Sequence, residues 1–330
     1  MRKPRIALLA TGGTIAGTAG SATDTRGYTA GQLGADALIA AIPQLGQLAQ
    51  LSPEQFSNVD SKDMTPQHWL PLARRVQALA DDPAVDGIVI THGTDTLEET
   101  AYFLDITVAT NKPVVMTAAM RPATALSADG PLNLYQAVAL ACRPATGRAG
   151  VLAVLGDRIL SAANLSKRHP SAVDAFACAG ALTTLASDAA LQALAPLRYA
   201  RIAIPADVQA LPPVELLTVA AGSSPALASA VARALVKASL LTGAAGLVVA
   251  LPGNASLPAA WKPALEALPH KVPLVLASRC GGGVSAHRKD LPGNWLDAGP
   301  LDPLKARVRL IAGLGAGLRG ARLRRWFERS

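Results

Sequence analysis

Aromatic side chains are scarce in this chain: they make up 4% of 330 residues, although half of all residues are apolar. The core must therefore be built from aliphatic side chains, chiefly Ala, Leu and Val. Cysteine is just as sparse. Cys142, Cys178 and Cys280 are odd in number, lie far apart and form no CxxC pair, which speaks against a disulfide framework or a zinc site. The five histidines are scattered without metal-ligand spacing, so no metal and no cofactor is expected. Long hydrophobic runs are missing too. Basic residues open the chain, but the apolar run at 6–10 is shorter than the core of a secretory signal and meets Gly12-Gly13 at once. No segment has the length of a membrane span. These absences point to a soluble globular protein, with the cytoplasm as the default compartment and no membrane partner.

The length suits two domains better than one core. The net charge of +8 invites a nucleic-acid reading, and part of it sits at the end, in Arg319, Arg322, Arg324, Arg325 and Arg329. Arg322, Arg325 and Arg329 fall on one face of a terminal helix, where cations near the C-terminus are favourable. No basic patch interleaved with aromatics occurs elsewhere, so no nucleic-acid partner is expected.

Aliphatic runs at 5–10, 86–91, 113–118, 150–155, 216–220, 245–250 and 273–277 read as buried strands. Between them lie periodic helical segments. One spans 65–80, with Thr65 as N-cap, Pro66 at the first helical position and Pro71 set to kink or delay it. Another spans about 225–238. Alternation of this kind predicts an α/β fold, with parallel strands covered by helices on both faces. The pattern weakens around 187–215, ending in Leu211-Pro212-Pro213. The expected division is a larger domain at 1–190, a linker at 191–215 and a smaller α/β domain at 216–330. A faint echo, GIVI then GTDTL at 87–97 and GLVV then GNASL at 246–257, suggests a shared strand-to-helix device.

In open α/β sheets, ligands bind beyond the carboxyl ends of strands. Two junctions qualify. The first, LLATGGTIAG at 8–17, pairs glycines that let a ligand approach the backbone. It lacks the Walker spacing and lysine, and its glycines do not fit a dinucleotide fingerprint. Thr14 on this turn is either a local cap or a nucleophile beside backbone donors. At the second, ITHGTDTLEET at 90–100, Thr96 and Glu99 have capping-box spacing. Thr94 and Asp95 are left over. A threonine needs a base before it can attack, and a nearby lysine could serve; Asp95 could instead hold a substrate ammonium.

TGGTIAG at 11–17 and THGTDTLEETAYFLD at 91–105 resemble the two signatures of the bacterial L-asparaginase family, threonine-dependent amidohydrolases that include glutaminase-asparaginases. The likeness continues through Tyr28, PQL at 43–45, NVDSKDM at 58–64, KPVVM at 112–116, AMRP at 119–122 and SADGPLNLY at 127–135, and more weakly through DPLKARV at 302–308. It implies hydrolysis of L-asparagine through an acyl-enzyme. Thr14 matches the first nucleophile and Tyr28 its neighbour on a mobile loop. Thr94, Asp95 and Lys167 match a second cluster. Ser61 matches the residue gripping the substrate α-carboxylate, and Asp95 also faces the α-ammonium. Asn254 or Ser256 would line the site from a neighbouring chain, within a homotetramer or homodimer. His92 and Arg121 are expected to support the site, and Asp129-Gly130-Pro131 to make a turn and helix start.

Two positions depart from that pattern. Lys62 follows Ser61 where glutamine or glutamate is familiar, and could meet a substrate carboxylate, repel the ammonium or point to solvent. In SRCGGGVSAHRKD at 278–290 the resemblance implies an acidic residue that reaches the neighbouring subunit's substrate, and the only nearby carboxylate is Asp290, beside Arg288 and Lys289. The added positive charge predicts modest affinity for L-asparagine. A broader glutaminase-asparaginase and a non-catalytic amino-acid binder stay open. A tRNA-dependent amidotransferase subunit is disfavoured, because the chain starts at its first strand.

Overall fold

A computed structural model describes residues 2–184, 186–193, 200–242, 245–280 and 291–328. The chain divides into two compact units, Met1–Arg198 and Tyr199–Ser330. The first holds seven strands in one sheet: β1 (Arg5–Gly12), β2 (Gln50–Val59), β3 (Gly87–Thr91), β4 (Val114–Thr117), β5 (Val151–Leu155), β6 (Arg158–Ser161) and, after a small hairpin, β9 (Leu182–Thr183). Their order is β2-β1-β3-β4-β5-β6-β9. The first five are parallel, and β6 and β9 extend the sheet antiparallel. The hairpin pairs β7 (Ser166–Lys167) with β8 (Phe176–Ala177). Among its described residues the second unit carries four parallel strands in sequence order, β10 (Val214–Thr218), β11 (Gly246–Leu251), β12 (Leu274–Ser278) and β13 (Trp295–Asp297).

Strands β3, β4, β5 and β11 are buried along their whole length. That is why their sequences read as unbroken aliphatic runs rather than alternating ones. Each of the seven expected strands is found within two residues of its expected position, as β1, β3, β4, β5, β10, β11 and β12; β6 to β9 and β13 were not expected. The edge strand β2 was not expected, because all of its residues are exposed or half-buried and it contains Pro53. Proline is tolerated at an edge, where one ladder bond is spared. The helix Pro66–Asp81 begins after Thr65, whose backbone N–H donates to His68 Nδ1 at 3.0 Å. It starts at Pro66, so the helix is not delayed, and it continues through the exposed Pro71, which has no N–H to give to the helix. The few aromatics are used where they count. Trp69 stacks on Phe103 with ring centroids 5.3 Å apart, and its indole N–H donates to Thr100 Oγ1 at 2.9 Å.

Residues 200–213 contain neither helix nor strand, and residues 194–199 of the expected linker lie outside the described residues. The echo between the two units is limited to strand and turn. After β3 a helix follows, Leu97–Thr107, whereas after β11 the chain turns through Gly253 and Ala255 at positive φ into a short 3-10 helix. The terminal helix Gly320–Glu328 buries Leu323, Trp326 and Phe327 and exposes Arg322 and Arg325; Arg329 lies outside the described residues. Among the described residues no helix is long and apolar enough to cross a membrane.

Candidate active site

The order β2-β1-β3 means that the chain leaves β1 in one direction and β3 in the other. A crevice forms between the carboxyl ends of such a strand pair. Both threonine-bearing loops lie there, directly after β1 and β3. Their glycines are explained by contact. A Cβ on Gly13 would lie 2.4 Å from Gly93 Cα and N, and one on Gly93 would lie 2.4 Å from Ser61 Oγ. Gly12, at φ +104°, would set a Cβ 2.7 Å from the carbonyl oxygen of Val59. The loops after β1 and β3 therefore meet backbone to backbone, the loop after β2 reaches them through Ser61, and Gly12 lets the ends of β1 and β2 pair closely.

On this base two hydroxyls face a pocket of about 840 Å³. Thr14 Oγ1 lies 2.6 Å from the Tyr28 hydroxyl, with either oxygen able to donate. Lys167 Nζ donates to Thr94 Oγ1 at 2.9 Å and to Asp95 Oδ1 at 2.5 Å. Thr14 and Thr94 are only 6% and 5% exposed, so both hydroxyls are largely withdrawn from bulk water. The structure thus brings Thr14, Tyr28, Thr94, Asp95 and Lys167 to one cavity, with Arg26, Arg121 and Ser127 among its other polar walls.

Each group is held by a nearby element. Tyr28 comes from a loop closed by the Thr18–Thr29 bridge. Within it, Asp24 Oδ1 accepts from the N–H groups of Gly27 and Arg26 at 2.6 and 3.0 Å, which holds its carboxyl pKa below the usual range. Lys167 lies on β7, where its backbone N–H donates to buried Glu98 at 3.3 Å. His92 is fully buried, with Nδ1 2.7 Å from the Gly93 carbonyl oxygen, and burial pushes its pKa down to about 4. Its ring is therefore neutral at neutral pH.

Ser61 is buried. Its Oγ accepts from Asp95 N–H at 3.1 Å, and its carbonyl accepts from the Thr96 hydroxyl at 2.8 Å. The Thr96 observation corrects the capping-box reading. Thr96 is the N-cap residue by position, but its hydroxyl makes no cap bond and instead ties Ser61 to the site. Lys62 is not among the residues lining the pocket; it turns back to Asp60 at 2.5 Å and Asp63 at 3.4 Å, and the Asp60 bond raises its pKa. Its charge is offset locally by two carboxylates. Asn254 and Ser256 are exposed on the turn after β11, in the second unit, and Asp290 lies outside the described residues. No group of three or more potential metal ligands occurs among the described residues.

Sequence reasoning missed Glu98 and Asp129. Asp129 does not cap the helix Gly130–Ala141 with its side chain. Its carboxylate accepts from the N–H groups of Met120 and Arg121 at 2.9 and 3.0 Å. The pattern that could have revealed it is an aspartate within reach of a polar strand-end loop, AMRP, which sequence spacing alone does not display.

Hydroxyl nucleophile candidates with proton-carrying neighbours, at the switch point of a parallel sheet, mark a class of hydrolytic enzymes. Comparison makes the class specific. Residues 5–193 match the family model "Asparaginase, N-terminal" and residues 214–327 match "Glutaminase/Asparaginase C-terminal domain". L-asparaginase 2 of Bacillus subtilis is 40% identical over 317 residues, covering 94% of this chain and 82% of the relative. A glutaminase-asparaginase of Pseudomonas aeruginosa is 39% identical over 312 residues, covering 92% and 84%. The crystal structure of a probable cytoplasmic L-asparaginase from Campylobacter jejuni superposes with a TM-score of 0.86 at 38% identity, covering 99% of this chain and all of that one. The chain belongs to the asparaginase family of amidohydrolases.

Proposed function

We propose that this enzyme hydrolyses L-asparagine to L-aspartate and ammonia, with Thr14 as the nucleophile. The observation that carries this reading is the 2.6 Å contact between Thr14 Oγ1 and the Tyr28 hydroxyl at a polar pocket. A tyrosine hydroxyl both donates and accepts, so it can take the Thr14 proton as it passes one on. Thr94 is placed differently. Its oxygen already accepts from Lys167, and its own hydrogen is left to donate. That makes Thr94 the better donor and Thr14 the better attacker.

In the acylation step the Thr14 oxygen bonds to the amide carbon and the carbon–nitrogen bond breaks. The Thr14 proton travels through Tyr28 to the departing nitrogen, which leaves as ammonia. Thr94, ordered by Lys167, donates to the reacting amide. Water then adds to the ester carbon, the ester bond to Thr14 breaks, and one water proton returns to the threonine. Asp95, through its free carboxylate oxygen, meets the substrate ammonium, while Ser61 uses its hydroxyl hydrogen toward the α-carboxylate. The likeness to a glutaminase-asparaginase supports L-glutamine as a second substrate.

Asn254, Ser256 and Asp290 are proposed to complete the site from a neighbouring chain of a homotetramer or homodimer, with residues 191–215 as the linker between domains. A cytoplasmic location is likewise a proposal. Ammonia release from L-asparagine and L-glutamine over a wide concentration range tests the function. Saturable turnover of either amide, lost in Thr14→Ala, is expected. Saturable binding without ammonia release would assign a binding role instead, and sedimentation of the purified chain reads the assembly.

A further inference from the structure

We propose that Asp129, Gly130 and Asn133, at the start of the helix Gly130–Ala141, form a positioning cluster that sets one wall of the pocket against the Thr14 loop; this rests on the hydrolytic reading above. The Asp129 carboxylate accepts from two consecutive backbone N–H groups, those of Met120 at 2.9 Å and Arg121 at 3.0 Å. Both residues line the pocket. Buried Asn133 donates from Nδ2 to the Ala118 carbonyl at 3.0 Å and to Asp129 Oδ2 at 3.2 Å. Its Oδ1 accepts from Gly156 N–H at 3.0 Å, just beyond β5. The chain ends after β4 and β5 are thus gripped by one pair of side chains.

Gly130 supplies the link to the nucleophile. A Cβ there would lie 2.9 Å from Ile15 Cγ1 and 3.3 Å from Ala119 Cβ. Ile15 directly follows Thr14, and Ala119 directly precedes Met120. The helix start therefore presses on the nucleophile loop and the pocket wall together, and its glycine lets them meet. None of the three residues lines the pocket. They act through Met120, Arg121 and Ile15, and this gives a physical reason for the sequence SADGPLN at 127–133.

A carboxylate serves this purpose better than an amide. Each oxygen of Asp129 faces an N–H group, and an asparagine there would turn its NH₂ toward one of them. Misplacement of a reacting group by about an ångström costs about a hundredfold in rate. Asp129→Ala is therefore expected to lower kcat for ammonia release by about a hundredfold, with KM within threefold. Asp129→Asn should fall between it and the unaltered enzyme. Gly130→Ala, which retains every hydrogen bond of the cluster, should lower kcat at least tenfold by pushing Ile15 and Ala119 apart.

Crystal structures of Asp129→Asn and Gly130→Ala supply a readout independent of substrate. Displacement of residues 119–121 relative to Thr14 is expected in both. If Asp129→Ala fails to fold, the other two variants decide. Folded variants with unchanged kcat, or with only a raised KM or lowered Tm, would overturn the proposal, as would an unmoved 119–121 segment. Loss of turnover in these variants with Thr14→Ala fully active would instead count against the nucleophile assignment and leave the cluster standing.

Discussion

Replacing Gly13 with alanine tests how the site is assembled. Gly13 has φ 82° and ψ −176°, a region open almost only to glycine, where another residue costs about 1–3 kcal/mol. The added Cβ would also lie 2.4 Å from Gly93 Cα and N, both backbone atoms that cannot rotate away. Restoring an ordinary contact requires the two loops to separate by about an ångström, and overpacking of that kind costs about 1–3 kcal/mol more. The expected loss of stability is therefore about 2–6 kcal/mol. A shift of that size between Thr14 and Thr94 should lower kcat/KM by about a hundredfold in whatever fraction remains folded. Denaturant unfolding followed by circular dichroism reads the first quantity, and ammonia release the second. Gly46→Ala is the control: Gly46 is exposed, has a helical backbone and has nothing within 4 Å of its would-be Cβ. It should be neutral or stabilising by up to about 1 kcal/mol. A Gly13→Ala enzyme as stable and active as this control would refute the idea that bare backbone contact locks the loops.

Tyr28→Phe retains the ring that packs beside Gly17 and removes the hydroxyl; kcat should fall by about a hundredfold or more while the Tm stays within a few degrees, measured by ammonia release and thermal unfolding. Lys62→Gln should leave KM for L-asparagine within about twofold, since Asp60 and Asp63 already offset that charge; a tenfold change would restore the expectation that Lys62 weakens binding. His92 makes stability depend on pH. In the unfolded chain it takes a proton near pH 6.5, whereas burial delays protonation to about 4 in the folded state. Between those values the unfolded chain binds more protons, so stability falls as pH falls, by about 3 kcal/mol in all. His92→Asn should remove that share, giving a shallower loss between pH 6.5 and 4 in denaturant titrations, and an unchanged slope would contradict it.

The fold was legible where burial is uniform. Strands β3, β4, β5 and β11 are closed on both faces, so their side chains are aliphatic without interruption and a sequence pattern locates them. Strand β2 escaped because an edge strand has no such demand on its residues, and its pairing with β1 is a tertiary fact. The candidate site was legible through its two glycine-threonine loops, which the structure brings together at Gly13 and Gly93. What was not legible depends on residues distant in sequence. The Thr96 hydroxyl goes to Ser61, 35 positions away, rather than to its own helix. The backbone of Lys167 is held by Glu98, 69 positions away. Asp129 read as a turn residue because the loop it grips is made of backbone N–H groups, which no side-chain pattern records.

In the proposed mechanism Thr14 carries the acyl group. Acid-quenching the enzyme during turnover of L-asparagine, followed by proteolysis and mass spectrometry of the fragments, tests it directly. An aspartyl ester on the fragment containing Thr14, absent from Thr14→Ala and retained in a slowed form by Thr94→Ala, is the predicted result. An ester on Thr94 instead, or an enzyme that turns over through a quench with no ester anywhere, would contradict it.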